Sequence, residues 1–202
     1  MRSRPAPLAV VKIGGSVFER RADLDRLVGA LAGRSVILLA GGGRLADAVR
    51  VAQTDLGFSD ALAHRLAIDA MARSAEILEN LYPDCRAVSA AEAALRMIRR
   101  GLTPVWGGLG CFLDRPEIAA GWSVTSDSLG AVLARDVAAT DLILVKSAEP
   151  PAGADFAALG RAGYVDADFA LHASAFSGTV RFVGPADYDR LSAFLPAGDL
   201  AA

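Results

Sequence analysis

The chain has 202 residues, of which 53 % are hydrophobic and only 6 % aromatic, and it carries a formal net charge of −2. That length and apolar content suit a single domain whose large core is filled by Ala, Leu and Val. The slightly acidic balance argues against a general nucleic-acid binder, which would show a basic stripe, and no apolar run reaches the ~18 residues of a membrane span.

In chain order, Leu8–Ile13 reads as a buried strand and Arg21–Ala32 as a helix with Leu24, Leu27, Val28 and Leu31 on one face. Ser35–Ala40 is a second strand running into Gly41-Gly42-Gly43, followed by a helix over Arg44–Leu56. Ser59 and Asp60 look like the start of a long helix to about Leu81, stopped by Pro83. Arg86–Val88 is a short strand. Ser89–Arg100 is a helix with Ser89 and Glu92 at capping-box spacing. Thr103–Trp106 is a strand ending in Gly107-Gly108, and residues 109–124 read as a loop. Ser126–Val137 is a helix and Asp141–Lys146 a strand; Ala148–Gly153 loops out. A short helix near Phe169, a strand Thr179–Val183 and a last helix Ala186–Phe194 complete the chain. Strands separated by helices require crossovers, so the expected fold is α/β: a three-layer αβα sandwich around a mostly parallel sheet.

In such sheets ligands bind beyond the carboxyl ends of the strands. Four of the expected strands end there in unusual residues: Lys12-Ile13-Gly14-Gly15-Ser16, Gly41-Gly42-Gly43, Gly107-Gly108 and Lys146. Lys12 and Lys146 are the only lysines among 21 basic residues. A lysine gives a compact ammonium with three rotatable donors, where arginine gives a rigid fork. Glycines after a strand let backbone N–H groups approach an anion, and Ser16 adds a hydroxyl. Thr125-Ser126-Asp127 opens a helix. Asp127 is there either a favourable first-turn charge or the counter-ion holding both lysines. The spacing matches neither a Walker A loop nor a GxGxxG turn. The two cysteines, Cys85 and Cys111, lack metal-ligand spacing, and no metal cage is expected; free thiols point to a reducing cytoplasm. The basic stretch at residues 1–7 is followed by too short an apolar run for a signal peptide.

The Lys-before-glycine order, together with Ala40-Gly41-Gly42-Gly43, Thr125-Ser126-Asp127-Ser128 and Leu142–Lys146, resembles the amino acid kinase family over roughly three quarters of the chain. The resemblance implies ATP-dependent phosphoryl transfer to a carboxylate, carbamate or phosphate oxygen, with Mg²⁺ carried on the ATP phosphates. By match, Lys12 would sit on the transferred phosphoryl group, and Asp127 would organise the lysines. Gly14, Gly15, Ser16, Ser126 and Lys146 would serve the nucleotide, and Gly41, Gly42, Gly43, Gly107 and Gly108 the acceptor. Lys146 is either the second catalytic lysine or that lysine is absent, since a later Gly-Met…Lys element of larger members has no counterpart. The chain thus reads as one domain, 1–202, with an acceptor half to about 140 and a reduced nucleotide half after it.

Gly57–Met71 is similar to a subgroup that phosphorylates aminomethylfuran phosphate for methanofuran-type C1 carriers. His64, on the helix that would overhang the acceptor, is either a surface residue or an acceptor ligand coupled to Asp60 and Asp69. Trp106 either packs in the core or flanks an aromatic acceptor. Isopentenyl phosphate kinase, an acyl-phosphate-forming kinase and a non-catalytic nucleotide- or oxyanion-binding subunit are the competing readings. The family also implies a homodimer or larger assembly.

Overall fold

The computed structural model describes residues 7–196. The basic stretch 1–6, part of the signal-peptide expectation, lies outside them.

Six strands form one sheet: β1 (Ala9–Ile13), β2 (Val36–Ala40), β3 (Cys85–Val88), β4 (Thr103–Trp106), β5 (Asp141–Val145) and β6 (Thr179–Val183). Their order is β3-β4-β2-β1-β5-β6, and every pairing is parallel. Nine α-helices accompany them among the described residues: α1 (Gly15–Phe18), α2 (Arg21–Leu31), α3 (Gly43–Leu56), α4 (Asp60–Leu81), α5 (Ala91–Ile98), α6 (Ser126–Asp136), α7 (Phe156–Arg161), α8 (Phe169–Ser174) and α9 (Leu191–Phe194). The expected α/β sandwich is therefore present, with a sheet that is wholly parallel.

The two-residue pleat explains why the central strands are apolar throughout. Val10, Ile37, Leu39, Leu142 and Leu144 enter one core, and Val11, Val36, Leu38, Ile143 and Val145 enter the other, across the sheet. Lys12 occupies a position of the first set, in register with Leu39 on one side and Leu144 on the other. A charge placed there must find a partner from the covering layer, and that layer is α6. This helix is buried continuously from Asp127 to Ala134. Its small residues let it lie close to the sheet: a Cβ on Gly130 would stand 3.5 Å from the Cβ of Lys12.

Local signals hold at several ends. Ser59 accepts the Leu62 N–H at 3.3 Å and caps α4, and α3 closes on Gly57 at φ 72°. The capping box at Ser89 does not form. α5 starts at Ala91 with no side-chain cap, and Gly108 packs tightly against Ser89. The last expected helix is split into a 3₁₀ turn, Pro185–Arg190, and α9. α1 and α7 lie where no helix was expected, and the 109–124 segment contains one 3₁₀ turn, Leu109–Phe112. Among the described residues no helix is long and apolar enough to cross a membrane.

Candidate active site

β1 and β5 are neighbours, so Lys12 and Lys146 leave the sheet side by side although 134 positions apart in numbering. Asp127, in the first turn of α6, lies between them. Its Oδ1 accepts from Lys12 Nζ at 2.7 Å and its Oδ2 from Lys146 Nζ at 2.9 Å. Lys12 and Asp127 are 3 % and 4 % exposed, so little solvent screens this cluster. Burial alone would raise the Asp127 carboxyl; the Lys12 and Lys146 ammonium groups outweigh it and hold Asp127 below its ordinary value. Burial, then repulsion from Lys12, pushes Lys146 below the usual lysine range, against the pull of Asp127. The Tyr164 ring centroid lies 5.3 Å from Lys146 Nζ, and burial raises the Tyr164 phenol to about 12. Two ammonium groups share one carboxylate, which leaves the cluster net positive and suited to an anion.

The glycine turns stand next to it. Gly14 N–H donates to the Val145 carbonyl at 2.9 Å, and Gly41 N–H to Ile13 at 2.9 Å, so both turns extend the sheet ladder. Gly14 is the one adjoining the lysine, since its Cβ position would be 3.8 Å from Lys12 Nζ. Gly15 and Gly43 are in backbone contact. A Cβ on Gly15 would fall 2.7 Å from the Gly43 nitrogen and 2.8 Å from its Cα. Neither backbone atom can yield without moving the turn. Gly15→Ala is therefore expected to cost about 1–3 kcal/mol, typical of overpacking, read as a lowered midpoint in thermal unfolding; a Tm equal to wild type would show that the turns are not locked together.

Beyond these turns opens a cavity of about 210 Å³. Gly15, Ser16, Gly42, Gly43, His64 and Ser126 line it. α6 thus joins the two parts of the site: Ser126 faces the cavity while Asp127 holds the lysines. The start of α6 is itself clamped from afar. Asp166 accepts from Thr125 N at 2.9 Å, Thr125 Oγ1 at 2.8 Å and Ser128 N at 2.9 Å, and also from the Ser128 hydroxyl. Of these, the Ser128 N–H is the donor an N-cap side chain would satisfy, and its acceptor is here a residue 38 positions later.

Two of the expected acceptor glycines are elsewhere. Gly107 and Gly108 both donate to the Val88 carbonyl, and Gly107 lines a separate hollow with Arg73, Glu76 and Ser89. β2 separates β4 from β1, so the carboxyl end of β4 opens to the side. Gly41 is not in the cavity wall either; its Cβ position would be 2.7 Å from the Gly15 nitrogen, which makes it a packing glycine. Trp106 is buried in the core. Asp60 does not couple to His64: it accepts from Gln53 Nε2 at 2.7 Å, while His64 Nδ1 lies 3.1 Å from the Gly121 carbonyl.

Sequence reading missed Arg50, Trp122 and Asp166. Trp122 donates to Gln53 Oε1 at 2.6 Å, and the Arg50 guanidinium lies 4.1 Å from its ring centroid. Both residues line the cavity. Trp122 sits in a run without periodicity, and only its rarity in an aromatic-poor chain could have marked it.

A family model described as the amino acid kinase family matches residues 7–149. The chain belongs to the amino acid kinase family. Its fold is shared with solved structures of the same kind. Uridylate kinase from Archaeoglobus fulgidus superposes with a TM-score of 0.65 at 17 % identity, covering 93 % of this chain and 96 % of that one. UMP kinase from Ureaplasma parvum gives a TM-score of 0.65 at 14 % identity, covering 91 % and 92 %. A search of curated proteins finds no match. All of the cationic cluster falls within the matched segment, whereas the Asp166 clamp comes from beyond it. Among the described residues, no group of three or more His, Cys, Asp or Glu side chains is placed to share a metal ion.

Proposed function

We propose that the protein is an ATP-dependent kinase of a small phosphorylated acceptor, of the aminomethylfuran phosphate type used in methanofuran- or methanopterin-linked C1 cofactor metabolism. The observation that carries the kinase reading is one buried carboxylate holding two ammonium groups beside a pair of glycine turns. The cluster suits a polyphosphate, because its positive charge exceeds its negative. ATP, when bound with Mg²⁺, supplies the phosphoryl group and its metal. Lys12 and Lys146 would hold that group and its leaving phosphate, and Gly14, Gly15, Ser16 and Ser126 would flank them. Asp127 keeps the two like charges in place. Phosphoryl transfer asks mainly for positioning and charge stabilisation, which such a cluster provides without a proton-transferring base.

The cavity supports the acceptor half of the reading. Its wall includes Gly42, Gly43 and Arg50 for an anionic end, and Ala67, Ile68 and Met71 for an apolar body. His64, Ala67, Ile68 and Met71 all belong to the Gly57–Met71 segment that resembles the aminomethylfuran phosphate kinases. Isopentenyl phosphate remains the second reading, favoured by that same apolar wall. ADP release from Mg·ATP with aminomethylfuran phosphate and with isopentenyl phosphate tests both. Release with the first at a higher kcat/KM is the expected result, and release with neither overturns the proposal.

We further propose a homo-oligomer. Leu45, Val51 and Leu56 of α3 and Leu62, Leu66 and Ile77 of α4 are exposed, and α3 has no buried residue at all. Apolar helix faces left open in this way commonly mark association. Sedimentation should give a dimer or larger species, which Val51→Glu should weaken; a monomer at high micromolar concentration would refute the assembly.

A further inference from the structure

His64 is only 5 % exposed, yet one of its ring nitrogens has no partner among the described residues. Nδ1 faces the Gly121 carbonyl oxygen at 3.1 Å. A carbonyl oxygen only accepts, so the hydrogen must be on Nδ1. In the neutral ring Nε2 is then a bare acceptor. Burial pushes the imidazole below its ordinary value and so favours that neutral form. A buried acceptor left unmade is unfavourable, and this one belongs to a residue in the wall of the cavity. The rest of the wall is mixed, and the carboxylates of Glu19 and Asp47 are part of it. Gly42, Gly43 and Arg50 offer positive character for oxygen atoms, and Ala67, Ile68 and Met71 offer none. His64 also lines a second cavity with Arg65, Phe112 and Asp114, so the residue stands in the wall of both.

We propose that His64 selects acceptors that carry an N–H or O–H donor, separate from their phosphate, to pair with its Nε2. The inference rests on the acceptor reading above and sharpens it. An unprotonated phosphate oxygen cannot satisfy Nε2, because both would be acceptors. Isopentenyl phosphate has only C–H groups to offer there. An aminomethyl group supplies an ammonium donor.

The chain has only two histidines, His64 and His172, so long-range ¹H–¹⁵N correlation spectra of the full-length protein are readily assigned with a His172→Gln control. Without ligand, His64 should show a protonated Nδ1 and a bare Nε2; an Nε2–H tautomer overturns the inference. The probes are 5-(aminomethyl)furan-3-ylmethyl phosphate and its counterpart with methyl in place of aminomethyl. The Nε2 resonance should move with the first and stay with the second. No movement with the donor-bearing probe, or equal movement with both, overturns the inference. His64→Asn keeps an amide N–H for Gly121 but has no acceptor at the Nε2 position, whereas His64→Gln places its amide oxygen near that position. His64→Asn should weaken the aminomethyl probe by roughly 10- to 100-fold, the range for a hydrogen bond to a charged group. It should leave the methyl probe unchanged, and His64→Gln should restore most of the loss. Equal weakening of both probes would mark His64 as a packing residue only and overturn the selection. ADP release is read separately: a moving Nε2 without ADP release refutes the kinase reading and leaves the donor selection standing.

Discussion

Asp127→Asn should lower kcat by about 10²-fold or more, as when one preorganised electrostatic partner is lost, while acceptor KM changes little. The substitution keeps the shape and removes the charge. Lys12 and Lys146 then face each other across a neutral amide at the two positions now 2.7 and 2.9 Å from the carboxylate oxygens. Breaking a buried ion cluster from one side typically costs about 3–5 kcal/mol, so the variant should also unfold at lower denaturant. The pH dependence carries a sign. Asp127 has a folded pKa below its unfolded value, so its contribution is complete above the unfolded value of about 3.9 and is lost as pH falls through the folded one. The stability gap between wild type and variant should therefore close in acid. On the alkaline side, activity should fall at a pH below the ordinary lysine range, because Lys146 sheds its proton early. Asp127 is the main group raising Lys146, so in Asp127→Asn that limb should move to lower pH still. A limb that moves upward would show that Lys146 does not govern it.

Lys12→Arg should abolish most turnover, by at least about 10²-fold on the same scale of lost electrostatic placement, although the charge is conserved. Lys12 is inside the sheet-to-α6 layer, where its stem lies against Gly130. The wider guanidinium needs room that the α6 contact does not leave, and it cannot present a single compact charge beside Gly14. Mg·ATP binding followed by thermal shift separates the two effects: a folded variant that still binds nucleotide but does not release ADP is the expected outcome. Wild-type turnover would remove Lys12 from the reaction. Lys12→Met, which lacks charge altogether, should leave Asp127 with Lys146 alone and show an equal or larger loss.

The sheet was legible because its strands are apolar on both faces and end in glycine or lysine, signals that survive without tertiary information. Lys12 and Lys146 stood out for the same reason, as rare ammonium groups in an arginine-rich chain. Helix α1 was not legible. Gly15 and Ser16 are poor helix formers, and four residues hold that turn only because Gly43 backs it. Ser89 failed as a cap because the strand-end glycines of β4 claim the space beside it. Asp166 was invisible as a cap, since its partners at Thr125 and Ser128 are about forty positions earlier and no local motif links them. Gly107 and Gly108 misled because a strand-end glycine pair looks the same in any strand; only the strand order decides whether it faces the crevice.

The central place of β1 has a consequence for how the molecule comes into being. Its first neighbour, β2, is made soon after it, but its second, β5, begins 132 positions later in numbering. Asp127 is separated from Lys12 by 115 positions and the Asp166 clamp lies later again. A chain growing from the ribosome therefore exposes one open edge of β1 until about seven tenths of the polypeptide has emerged, and Lys12 lacks its carboxylate for most of that time. Distant pairings of this kind slow folding and leave strand edges available to other chains in the meantime. Stopping translation before residue 166 should yield nascent chains that recruit chaperones and bind no nucleotide, so that the competence to bind ATP arrives late and all at once, with the closure of the sheet.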